Sequence, residues 1–255
     1  MKKTLVILLI IFIFIFVVSL SFIAIELKAR NDDIVAFEEL SSLTNVTQSI
    51  LTDNPEHMET EMIQNESKED IIRDITPLFQ MNPDFISWIS VPGTGIDYPI
   101  MHTPYYPEKY LRNNFEGQYS ASGVPFLDGK CDTGSSNLII YGHNMSNGTM
   151  FAPLLNYKQQ SFFAEHQSIE LQTIDGIQRY SVFAVAKIKG NDEFYTFIDQ
   201  KDEEYNYFVS YIKSLSLYET GILPEDNAQI ITLSTCYGRN GVDRLVVVGV
   251  KNIDE

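Results

Sequence analysis

A cysteine and an arginine stand eight residues apart near the C-terminal end of the chain. Cys236 closes the run Ile230-Ile231-Thr232-Leu233-Ser234-Thr235-Cys236, and Arg244 opens the run Leu245-Val246-Val247-Val248-Gly249-Val250. The seven residues between them, Tyr237-Gly238-Arg239-Asn240-Gly241-Val242-Asp243, have the composition of a turn. A thiol beside a fixed positive charge is a candidate activated nucleophile, because the thiolate is the attacking species and a cation favours it. His143, in Tyr141-Gly142-His143-Asn144-Met145, supplies an imidazole that can take the thiol proton and return it to a leaving amine. A guanidinium stays charged and presents several donors, which suits it to a developing oxyanion. No carboxylate stands out in the sequence as a partner to orient His143, so a Cys-His-Asp triad is not required.

These residues converge only if their strands are neighbours. Side chains alternate along a strand. Ile230, Thr232, Ser234 and Cys236 therefore share one face, Arg244, Val246, Val248 and Val250 another, and Asn137, Ile139, Tyr141 and His143 a third. Upstream, Ile71, Ile72, Ile75, Leu78 and Phe79 recur at helical spacing. Asn82-Pro83-Asp84 predicts a break and a new helix start before Phe85–Ile89. Short strands follow at 96–100, 123–127 and 137–141, and a hairpin at 168–173 and 178–189. The stretch 203–217 reads as a helix with Tyr207, Phe208, Tyr211, Ile212 and Leu215 on one face. Many short strands with turn punctuation predict a mainly β fold closed, or nearly closed, into a barrel.

Length and charge narrow the function. The 255 residues, 44% hydrophobic, accommodate one membrane segment and one globular domain. A formal net charge of -16 argues against nucleic acid as a partner. Two cysteines cannot build a disulfide framework or a four-thiolate zinc site, and a Cys131–Cys236 bridge would block the candidate nucleophile. Cys131 reads as an incidental loop thiol. No ligand set at metal-binding spacing is visible, so no metal and no cofactor is expected.

The basic start Met1–Thr4 is followed by a nearly unbroken apolar run, Leu5–Ile25. About 20 helical residues span a hydrocarbon core of about 30 Å, and Ile23-Ala24-Ile25-Glu26-Leu27 is a poor cleavage site, so a retained signal-anchor is expected. Lys2 and Lys3 favour a cytoplasmic N-terminus, against weaker opposition from Lys28 and Arg30. The expected division is a cytoplasmic end at 1–4, a transmembrane helix at 5–25, an acidic extracellular stalk at 26–69 and a catalytic domain at 70–255.

Three motifs now combine. Thr232-Leu233-Ser234-Thr235-Cys236 with Arg244 resembles the active-site signature of sortases, and Tyr141-Gly142-His143-Asn144-Met145 resembles their histidine motif. Pro92-Gly93-Thr94-Gly95-Ile96-Asp97-Tyr98-Pro99-Ile100 resembles their early-strand motif. All three occur in the family's order, and the resemblance runs from about Ile71 to Ile253. The helical lead-in and the segment from Asn191 to Leu223 resemble class B in particular. The resemblance implies an eight-stranded barrel with N-terminal helices and a helix in the loop before the cysteine strand. It implies a membrane-anchored cysteine transpeptidase that cuts a C-terminal sorting motif of secreted proteins after a threonine. The acyl group then passes through a thioacyl-enzyme to an amine of a lipid-linked peptidoglycan precursor, or in pilin-building variants to a pilin lysine. By position, Cys236 is the implied nucleophile, His143 the general acid/base and Arg244 the oxyanion stabiliser. Tyr141, Ser234 and, as a weaker match, Leu111 are implied to line the substrate groove. Pro107 stands where some class B members have asparagine. Arg239 is a competing guanidinium, but it lies within the turn rather than at a strand start.

Overall fold

The computed structural model describes residues 2–44, 73–238 and 241–252. Eight strands close into a barrel: β1 (Phe85–Ser90), β2 (Asp97–Met101), β3 (Phe126–Leu127), β4 (Asn137–Tyr141), β5 (Ser168–Thr173), β6 (Gly176–Lys189), β7 (Ile230–Tyr237) and β8 (Asp243–Lys251). Their order around the barrel is β1-β2-β3-β4-β7-β8-β6-β5, with β5 returning to β1. The pairs β2–β3 and β4–β7 are parallel, and the others are antiparallel.

Among the described residues four α-helices accompany the barrel: α1 (Lys2–Thr44), α2 (Thr76–Met81), α3 (Gln160–Glu165) and α4 (Asp202–Ser214). The apolar run of β8 is explained by cover on both faces, which removes the polar alternation of a half-exposed strand. Leu245 and Val247 join Ile231 and Leu233 of β7 in the large cluster that fills the barrel. Val246, Val248 and Val250 join Ile230 in a second cluster, under Tyr205, Phe208 and Ile212 of α4. By alternation, Ser234, Cys236 and Arg244 lie on this second face, outside the barrel. The acidic first turn of α4, Asp202-Glu203-Glu204, and Lys213 in its last turn complement the helix dipole.

Four sequence expectations need correction. Phe85–Ser90 is a strand, not a helix: Phe85, Ser87, Trp88 and Ile89 are all buried, and β1 pairs with β2 across the 91–96 turn. The Asn82-Pro83-Asp84 break therefore ends α2 rather than starting another helix. Within α4 the packed residues are Tyr205, Phe208 and Ile212, while Tyr207 is exposed. The aromatic content of Tyr207 and Tyr211 masked the i, i+3, i+7 spacing of the true buried face. The strand expected at 123–127 is paired only at Phe126 and Leu127. The lead-in helix is also shorter than its spacing suggests. It starts at Thr76, with Pro77 in its first turn, while Ile71 and Ile72 lie outside the described residues.

The N-terminal helix is long and apolar enough to cross a membrane, and its apolar window is wholly exposed. It does not stop at Ile25 but continues to Thr44. Its far end packs on the barrel: Leu40 and Thr44 are buried, and Phe37 meets Tyr98 edge-on at 5.2 Å. Arg73 reaches back to Ser41 at 2.7 Å while pairing with Asp97 at 2.6 Å. The first part of the expected stalk is therefore helical and docked: Phe37, Leu40 and Thr44, at i, i+3 and i+7, set one face of the helix against the barrel. The remainder of that stalk, 45–69, lies outside the described residues.

Candidate active site

Backbone pairing assembles the site. Parallel β4 and β7 run in register from Asn137↔Ile230 to Tyr141↔Ser234, and β7 pairs with β8 so that Cys236 lies opposite Arg244. Beyond the last paired residues the two chains stay joined. The Gly142 amide donates to the Ser234 carbonyl at 3.1 Å, the Thr235 hydroxyl to the Gly142 carbonyl at 2.8 Å, and the Asn144 amide group to the Cys236 carbonyl at 3.2 Å. These bonds fix His143 beside the end of β7. Gly142 is required there, since a Cβ would lie 2.5 Å from the Phe151 ring.

His143, Cys236 and Arg244 all border one groove of about 460 Å³, with Tyr141, Ser234 and Leu111 also in its lining. All six residues singled out in the sequence therefore come together. Cys236 and His143 are half-buried, so each is held yet reachable. The Arg244 guanidinium donates to the carbonyls of Gly241 at 2.7 Å and Asp243 at 3.1 Å, which pins it over the turn. Arg239 lies outside the described residues.

The orienting partner of His143 is a backbone carbonyl rather than a carboxylate. Nε2 contacts the Leu111 carbonyl oxygen at 2.9 Å. A carbonyl can only accept, so Nε2 carries the proton and Nδ1 is left as the acceptor. Burial lowers the His143 pKa from the ordinary imidazole value; the Leu111 carbonyl opposes that shift and Arg112 adds to it. Burial thus favours the neutral imidazole, the state in which it can accept a proton.

Two groove residues had no signal in the sequence. Tyr195, on the 3-10 turn Glu193–Thr196, shares a hydrogen bond of 2.8 Å with Ser234, and burial pushes its phenol up to about 12. Asp128 accepts from the Tyr141 hydroxyl at 2.8 Å. Both sit in loops whose path is set by tertiary packing, where pattern reading has no period to follow. Cys131 is a different kind of thiol from Cys236. It is buried, its Sγ lies 3.4 Å from the Asn137 carbonyl, and burial pushes its pKa up to about 12. Both cysteines are free. His166 is structural in its contacts, its Nδ1 meeting the Pro92 carbonyl at 3.0 Å, while His102 is half-buried with its Nε2 atom buried and unpartnered.

A barrel of this topology, with cysteine and arginine on paired strand ends, is the arrangement that the sequence resemblance implied, and comparison with known proteins agrees. The model of the sortase domain matches residues 89–252, and the chain belongs to the sortase family. A relative from Listeria monocytogenes serovar 1/2a, named sortase B, is 32% identical over 177 residues, 68% of this chain and 69% of that protein. The fold is similar to the Staphylococcus aureus sortase B–substrate complex, with TM-score 0.66 and 28% identity over 71% of this chain and 85% of that one. It is also similar to sortase B from B. anthracis in complex with AAEK1, with TM-score 0.70 and 25% identity over 89% of this chain and all of that one. The expectation of a class B sortase barrel is borne out. As a member of this family the chain has the function of a sortase transpeptidase.

Proposed function

We propose that this sortase is held in the cell membrane by residues 5–25, with its N-terminus cytoplasmic and its catalytic domain, 70–255, outside. On this reading it cleaves a C-terminal sorting motif of secreted proteins at a threonyl bond and transfers the acyl group to an amine of a lipid-linked cell-wall precursor. The observation that carries it is the pairing of Cys236 with Arg244 across β7 and β8, in a groove that also takes in His143.

The steps follow from the groups present. His143 Nδ1 takes the Cys236 proton as sulfur attacks the threonyl carbonyl and a C–S bond forms. Charge develops on the carbonyl oxygen, and the Arg244 guanidinium stabilises it. The C–N bond breaks as the leaving amine receives the proton from His143, leaving a thioester on Cys236. An incoming amine then gives its proton to His143, forms the new amide and expels the thiolate, which is reprotonated. Tyr141, Ser234 and Leu111 line the path of the peptide.

A lipid-linked acceptor suits the N-terminal helix. From Ile25 to Asp33, where α1 first bonds to the barrel through Ser120, a helix rises about 12 Å at 1.5 Å per residue. A helix that docks so soon after its apolar run keeps the domain near the bilayer, which favours an acceptor tethered to lipid. The test is cleavage of a sorting peptide by Cys236→Ala beside the parent enzyme. Loss of both cleavage and the trapped thioacyl species is expected, and unchanged turnover contradicts the proposal.

A further inference from the structure

His143 is held by a carbonyl, and that carbonyl is itself held in place from the N-terminal helix. Leu111 ends a 3-10 turn, Lys109–Leu111, and its carbonyl is the partner of His143 Nε2. The segment that backs this turn is Ser120–Val124. The Val124 amide donates to the Tyr110 carbonyl at 3.0 Å, and the Ser120 amide to the Arg112 carbonyl at 2.9 Å. Between them Gly123 sits at φ +59°, pressed under the turn. A Cβ there would collide with the Tyr110 carbonyl oxygen and lie 2.7 Å from that of Leu111. What fixes Gly123 is the Ser120 side chain. Its Oγ, in a residue only 4% exposed, accepts the amides of Ser122 at 3.2 Å and Gly123 at 3.1 Å. The hydroxyl proton is then committed to Asp33 of α1, whose Oδ2 accepts it at 2.8 Å. A second contact runs in parallel: Leu40 of α1 is buried in one cluster with Tyr110, Phe115 and Val124, with Leu111 packed against it.

We infer that Ser120 and Asp33 are positioning residues for His143, so that the docked half of the N-terminal helix is part of the catalytic scaffold as well as the anchor's continuation. This rests on His143 being the acid/base group of the proposed reaction. A hydroxyl with both lone pairs occupied by amides, and its proton held by a carboxylate, has one orientation. That orientation fixes the Gly123 backbone against which the Leu111 carbonyl rests. Loosening it lets the imidazole swing, and of the six groove residues singled out above only Leu111 lies on the turn that moves with it.

The test uses the full chain in detergent micelles, with parent, Ser120→Ala, Asp33→Ala, Asp33→Asn and His143→Ala. Rates are divided by the fraction of enzyme that a thiol-specific label titrates at Cys236, and melting is followed alongside. Because small misplacements of a catalytic group can cost up to about a hundredfold, Ser120→Ala is expected to lower kcat about tenfold with KM within about twofold. Asp33→Ala is expected to lower kcat in the same direction, and Asp33→Asn, which keeps a carbonyl acceptor, to recover most of the loss. The ¹⁵N spectrum of His143 should change from a single Nε2-protonated tautomer to a mixture in Ser120→Ala. Parental kcat and an unchanged tautomer in Ser120→Ala and Asp33→Ala, with His143→Ala inactive, overturn the inference alone. A kcat loss in Ser120→Ala that disappears once the titratable fraction is applied also overturns it. An active His143→Ala overturns the underlying reading of His143.

Discussion

At the residue scale, two thiols in one chain have opposite chemistry because of where they sit. Cys131 is buried against a backbone carbonyl with its pKa pushed to about 12, whereas Cys236 is half-buried in the groove opposite Arg244. The guanidinium is held as a fixed fork by the Gly241 and Asp243 carbonyls. Arg244→Lys is expected to lower kcat about 10²- to 10³-fold, the range seen when one oxyanion donor is lost. Steady-state peptide cleavage measures it, and a rate within a few-fold of the parent would hand the role to another donor. His143 gives a pH prediction whose sign follows from burial. Its pKa lies below the ordinary value, so the neutral base persists at mildly acidic pH and is lost only as pH falls through the lowered pKa. The acid limb of kcat/KM should therefore fall below pH 6.5, about the ordinary imidazole value. Titration of the His143 ring by NMR should report the same midpoint, and a limb above the ordinary value would indicate a cysteine–histidine ion pair instead.

At the scale of elements, the site is a consequence of register. One parallel ladder and one antiparallel ladder place three strand ends side by side, and the bonds of Gly142, Thr235 and Asn144 extend the β4–β7 ladder past its formal end. Gly142→Ala tests this extension. Overpacking against Phe151 is expected to cost about 1–3 kcal/mol and to lower kcat by displacing His143. Thermal melting and cleavage rates measured together check both parts; a stable, fully active variant would show that the ladder end is slack. The same register explains what was legible beforehand. Asn137–Tyr141 and the last two strands were readable because they are short β-rich runs with clear turns. The convergence of Cys236, His143 and Arg244 was only conditional, since no local pattern says which strands are neighbours. Phe85–Ser90 was misread because a Pro-Asp dipeptide looks like a helix start whatever follows it. Tyr195, Asp128 and the Leu111 carbonyl carry no sequence period at all, and the last is a backbone atom that any residue type would supply.

At the scale of the whole molecule, one helix joins the expected membrane segment to the barrel without a break. The stretch 31–44, expected as part of a solvated stalk, instead contributes Leu40 and Thr44 to buried positions and Asp33 to the network behind His143. Its sequence concealed this, because the exposed apolar residues Ile34, Val35 and Leu43 blur the buried face formed by Phe37, Leu40 and Thr44. One truncation and one substitution separate the roles of this helix. Removing 1–30 should give a soluble, active enzyme, since every docking contact named above lies beyond Arg30. Loss of activity in a folded 31–255 would tie the apolar segment itself to catalysis. Leu40→Ala in the full chain removes a buried side chain and is expected to destabilise by about 2–4 kcal/mol, read as a lower melting temperature. An unchanged melting temperature would mean that the docked half of α1 is not held in solution.

The central claim is that Cys236 is the sulfur that carries the acyl group. Intact-mass and peptide-mapping spectrometry of the enzyme quenched in acid during turnover of a sorting-peptide library addresses it directly. A thioester adduct on Cys236, ending at a threonine and absent from Cys236→Ala, is expected. An adduct on Cys131, or continued peptide cleavage by Cys236→Ala, would contradict it.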